Sequence, residues 1–113
     1  MEPLRDLLRS QPLCDGFRDY EIALLAERMA PVDLPAKAVI YRSGERIARV
    51  YLLVRGRVRL SVPTLDHGAP AEIDSSPGDF LGAIALIESE CSLGELISLE
   101  PVQLLAMDRK DFL

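Results

Sequence analysis

The chain has 113 residues, 27% charged and 49% hydrophobic. That amounts to one domain with enough apolar material for a single core. Lys and Arg number 13 against 18 Asp and Glu, a net charge of −5, the reverse of the basic excess that a nucleic-acid binder needs to neutralise phosphates. No apolar run approaches the roughly 20 residues of a membrane span. Met1–Glu2–Pro3–Leu4–Arg5 lacks the basic-then-apolar order of a signal peptide. Cys14 and Cys91 lie too far apart for a metal-ligand pair or a disulfide framework. A soluble, reduced, cytoplasmic domain is expected.

Residues 1–31 read as helical. Leu4, Leu7 and Leu8 recur at helical spacing up to Pro12. After Asp19, a candidate N-cap, Ile22, Leu25, Ala26 and Met29 form an apolar stripe that Pro31 stops. Short β-favouring runs follow: Val32 to Leu34, Ala38 to Arg42, Val50 to Val54, Arg57 to Val62, Ala71 to Ile73, Leu93 to Ser98 and Val102 to Met107. Turn residues separate them at Pro35, Ser43–Gly44, Arg55–Gly56, Asp66–His67–Gly68, Pro77–Gly78 and Pro101. Strands of this length and spacing predict a sandwich or barrel over residues 32–108. Gly82 to Glu88 breaks the rhythm and reads as one or two helical turns between strands. At residues 109–113 a further helix begins, with Asp108 as a candidate cap and Phe112 as its first apolar anchor, and the sequence reads as stopping at the start of that helix.

Catalytic chemistry finds little support. His67 is the only histidine and sits in a turn-like Asp–His–Gly, so it builds neither a metal site nor a base with its orienting partner. Neither cysteine has a basic or histidine neighbour to activate it, and packing is the expected role of both. No enzyme and no metal are expected. Arg55, Arg57 and Arg59 would share one face of a strand. They could hold an anion there, or form an exposed face with Val54, Val58 and Leu60 turned inward.

The informative stretch is Pro77–Gly78–Asp79–Phe80–Leu81–Gly82–Ala83–Ile84–Ala85–Leu86. It resembles the phosphate-binding cassette of the cyclic nucleotide-binding domain family, which includes catabolite activator-type bacterial regulators and the regulatory subunits of cyclic-nucleotide-dependent kinases. Other segments are similar in order and spacing. Leu13 to Phe17 and the helix to Met29 resemble the opening helices. Ala38 to Glu45 resembles the strand before the Gly-acid turn, and Val50 to Val58 the Tyr-containing hairpin. Leu104 to Phe112 resembles the last strand and the helix after it.

The resemblance implies a mainly β fold with flanking helices, a jelly-roll β-barrel (a double-stranded β-helix), with the cassette at residues 78–92. It implies that Leu81, Gly82, Ala83, Ile84, Ala85, Ser92 and Leu93 face a ligand. Cyclic AMP or cyclic GMP is the cofactor it suggests. The partners it implies are a cyclic nucleotide or another small effector and a second copy of the chain. DNA would be reached only through a domain beyond this sequence, and no membrane is involved.

Two positions depart from the family pattern. Ala83 stands where the family places a glutamate that hydrogen-bonds the ribose, and Ser92, ten residues after Gly82, where it places an arginine on the phosphate. Lys37 occupies a turn position that is often glycine. Three readings follow: a sensor module of this family with impaired recognition of cyclic AMP and cyclic GMP, a weak but functional cyclic nucleotide binder, and a small β-barrel enzyme.

Overall fold

The structure, a computed structural model, describes residues 6, 8–9, 15–64 and 68–112, with the side chain of Phe112 left aside. Cys14 and His67 lie outside the described residues, as does most of the first apolar stripe.

Helix α1 spans Asp19–Glu27. Ile22 is its fully buried anchor, with Leu25 and Ala26 partly buried beside it, as the sequence spacing requires. The cap is Arg18 rather than Asp19. Its backbone N–H donates to Glu21 Oε1 at 3.0 Å, and Asp19 falls in the first turn, where a carboxylate favours the helix dipole.

Eight strands follow: β1 Ala30–Leu34, β2 Val39–Tyr41, β3 Arg49–Arg55, β4 Val58–Val62, β5 Ala71–Ser75, β6 Phe80–Leu81, β7 Glu95–Ser98 and β8 Val102–Asp108. Pro31 does not mark the helix end. It lies inside β1, three residues after the helix has already closed at Arg28. β1 is an edge strand paired only with β8, and an edge tolerates the missing proline N–H. The two-residue β6 escaped the sequence reading because it is too short to show alternation.

Two antiparallel four-stranded sheets result, in the orders β1-β8-β3-β6 and β2-β7-β4-β5. The jelly-roll expectation holds as to layers and strand pairing. The sheets stay separate ladders rather than closing into one continuous barrel.

Two clusters form the core. One lies between the sheets and includes Leu53, Val58, Leu96 and Leu104. The other lies on the outer face of the first sheet, where Leu52 and Leu105 meet Ile22 and Leu8. Leu52 opposes Leu105 and Leu53 opposes Leu104, so successive residues of β3 and β8 feed opposite faces. Burial on both faces explains why these strands read as unbroken apolar runs rather than alternating ones.

Gly56, at φ +95°, turns the chain from the first sheet to the second. A Cβ there would lie 2.6 Å from Pro101 O. The turn separates the three arginines: Arg55 ends β3, Arg57 precedes β4 and Arg59 lies within β4. Arg57 and Arg59 keep a common exposed face and meet on the Asp74 carboxylate, whereas Arg55 stays on the first sheet, and Val54 packs toward α1 rather than with Val58 and Leu60. Helix α2 spans Ala83–Glu88 and α3 spans Arg109–Phe112. Asp108 belongs to β8, and its carboxylate faces Arg49 Nε at 3.5 Å.

Candidate functional site

The sequence between β5 and β7 folds as a compact excursion. The Ser76–Pro77–Gly78–Asp79 turn is tied by Ser76 N–H to Asp79 Oδ2 at 2.9 Å. It is anchored to β3 by Gly78 N–H to Leu53 O at 2.8 Å. β6 then pairs with β3, Tyr51 opposite Leu81. Gly82 takes φ +86° and caps α2, and its carbonyl accepts the N–H of Leu86 at 2.9 Å. Beyond α2 the chain zips onto residues 44–47: Ile47 N–H donates to Glu90 O at 2.8 Å and Ser92 N–H to Glu45 O at 2.8 Å.

This excursion walls a cavity of about 290 Å³. Six of the seven expected residues line it: Leu81, Gly82, Ile84, Ala85, Ser92 and Leu93. Ala83 is buried behind them, at 7% exposure. The opposite wall comes from β2, β4, β5, β6 and β7 and includes Tyr41, Leu60, Ile73, Ser75, Phe80 and Leu96. Pairing explains three of these: Leu60 opposes Ile73 on one side and Leu96 on the other, so they form one row across the second sheet. Alternation within β4 and β5 holds the signal for this row, but strand pairing is needed to align it.

Tyr41 closes the floor. Its hydroxyl donates to Arg49 O, and Leu81 O lies 3.4 Å away. Burial pushes its phenol far above the ordinary tyrosine range, with Tyr51 and Glu45 adding to the shift, so the group stays neutral. The ring of Tyr51 packs 5.7 Å from it, tilted by 51°.

Ser92 is buried, and its hydroxyl donates to Gly94 O at 2.7 Å. Among the described residues, none of the lining side chains carries a charge. The nearby charges meet one another instead. Arg59 pairs with Asp74 at 2.7 Å and Arg57 with the same carboxylate at 3.3 Å. Arg109 pairs with Glu90, which joins α3 to the segment after α2. Cys91 is half-buried and forms an isolated bridge with Arg46.

Known proteins share this fold. The sequence profile of the cyclic nucleotide-binding domain matches residues 31–113. A CRP-like cAMP-activated global transcriptional regulator of Mycobacterium tuberculosis is 22% identical over 104 residues, covering 92% of this chain and 46% of the regulator. A cyclic nucleotide-gated potassium channel of Mesorhizobium japonicum is 35% identical over 106 residues, covering 94% of this chain and 28% of the channel. The chain thus spans half or less of these relatives. In fold it superposes with a TM-score of 0.88 on the regulatory subunit of a cAMP-independent protein kinase A from Trypanosoma cruzi bound to guanosine. That match is 20% identical and covers 98% of this chain and 39% of the subunit. No helix among the described residues is long and apolar enough to cross a membrane. With two facing sheets and a profile match over most of its length, the chain belongs to the cyclic nucleotide-binding domain family.

Proposed function

We propose that the chain is a cytoplasmic regulatory sensor module, without enzymatic activity, of a bacterial-type signalling protein or transcription regulator, and that it does not recognise cyclic AMP or cyclic GMP in the usual manner of its family. Leu81, Gly82, Ile84, Ala85, Ser92 and Leu93 form its ligand-binding wall, with Ala83 supporting them from behind. The observation that carries the proposal is Ser92. An arginine at that position would offer a planar, charged fork to a phosphate. The Ser92 hydroxyl offers neither charge nor a free proton, since it already donates to Gly94 O. Removing a charge-assisted contact costs about 1.5–3 kcal/mol, roughly ten- to hundredfold in affinity. Ala83 removes the ribose acceptor as well.

The comparisons support a regulatory role with varied ligands. Structural neighbours of this fold include a complex with cAMP and a cAMP-independent subunit bound to guanosine. Effector binding would bias α2 and the segment to Glu90. Arg109 would carry that bias into α3 and so to an output domain, a second copy of the chain or a DNA-reading domain.

Thermal melting with cyclic AMP and cyclic GMP tests the proposal. Millimolar ligand should leave the Tm of the wild-type chain unmoved. Ser92→Arg, alone and with Ala83→Glu, should then shift it upward in the presence of cyclic AMP. The single variant matters because Ala83 is buried and a glutamate there can strain the fold. Micromolar binding by the wild-type chain would favour the weak-binder reading and overturn this one.

A further inference from the structure

Resting on that reading, we infer that the cavity between α2 and the second sheet takes an uncharged, largely apolar small molecule. Ion pairs and cavity occupy opposite sides of the same strands. On β4 and β5, Arg59 meets Asp74 and Glu72, while Leu60 and Ile73 line the cavity. The pleat thus turns the charged row away from the cavity row. The remaining polar groups of the floor are spent or neutral: the Ser92 hydroxyl on Gly94 O, the Tyr41 hydroxyl on Arg49 O. An anion placed here would be desolvated with no counter-charge from any described lining side chain, a penalty that good packing does not recover.

The mouth of the cavity carries the positive signal. Ile73, Ile84 and Leu93 are 55%, 70% and 54% exposed and stand around one opening. Large apolar side chains grouped about a concave site mark a surface that gains by being covered. A neutral ligand would fill the floor, withdraw these three side chains from water and leave Ser75 as a single hydroxyl partner. The volume of about 290 Å³ lies at the small end of ligand sites, which fits one or two fused rings or a short branched chain.

The test uses the neutral two-ring fluorophore 6-acetyl-2-dimethylaminonaphthalene and the full chain. Fluorescence should rise saturably at one site. Ile73→Lys, at an exposed rim position, and Ser92→Arg should each weaken that site at least tenfold. Leu24→Lys, on the exposed face of α1, controls for dye on other apolar surface and should change nothing. Cyclic AMP at millimolar concentration should not displace the dye. If Leu24→Lys abolishes the signal and Ile73→Lys spares it, the dye sits elsewhere and the inference falls. If neither the dye nor cyclic AMP binds, the inference falls while impaired phosphate recognition stands. Displacement by micromolar cyclic AMP overturns the reading on which the inference rests.

Discussion

At Gly82 the backbone takes φ +86°, and a Cβ would lie 2.5 Å from the Tyr41 hydroxyl oxygen. Tyr41 is itself tied to β3 through Arg49 O and cannot easily withdraw. Gly82→Ala combines left-handed strain, about 1–2 kcal/mol, with overpacking of about 1–3 kcal/mol. A loss of about 2–5 kcal/mol is expected, measured by urea unfolding. Lys37 poses the opposite case. Its φ of 65° puts a side chain in the same left-handed region, in a turn held by its N–H to Ser98 O at 2.8 Å. Lys37→Gly relieves that strain, against the extra freedom glycine has when unfolded. The expected gain is a few tenths to about 1 kcal/mol in the same assay; a loss would refute the strain account. The departure at Lys37 was visible in the sequence as a turn position, whereas its backbone sign was not, because the turn is held by a hydrogen bond to Ser98 in a strand far along the chain.

Arg59 and Asp74 face each other directly across β4 and β5. The hydrogen bond from Arg59 holds the Asp74 carboxyl below the ordinary carboxylate range, with Arg57 adding to the effect. A carboxyl lowered in the folded state adds stability above its unfolded pKa and loses it as pH falls through the folded value. Wild type should therefore exceed Asp74→Asn in urea midpoint at pH 7, by a small margin because the pair is exposed. The margin should vanish well below pH 4, and one that persists at pH 2 would rule the ion pair out as its source. Glu90 behaves with the same sign through Arg109. Neither pairing was legible beforehand. Periodicity put Arg55, Arg57 and Arg59 on one face; the Gly56 crossing between sheets detached Arg55 and left Arg57 and Arg59 together on Asp74. Apart from the two-residue β6, the strands themselves were legible, because β-branched runs bounded by Gly and Pro carry their own signal. Their ends moved by at most two residues, since hydrogen-bonded partners decide where pairing stops.

For the molecule as a whole, β3 and β8 serve two cores at once. Leu104→Ala opens a void between the sheets and Leu105→Ala one beneath α1, and each should cost about 2–5 kcal/mol. Hydrogen exchange should separate them: Leu105→Ala releases the amides of α1 first, and Leu104→Ala destabilises both sheets together. Equal effects on α1 would merge the two cores into one. The sequence by itself determined the layer type, the glycine-led α2 and the absence of an arginine at position 92, because hydrophobic period, turn chemistry and residue identity are local properties. Only the tertiary structure decided that Ser92 spends its hydroxyl on Gly94, that Ala83 lies behind the wall rather than in it, and that Leu60, Ile73 and Leu96 complete the cavity. Those facts depend on register and sheet pairing between segments far apart in the chain, and no local pattern encodes them.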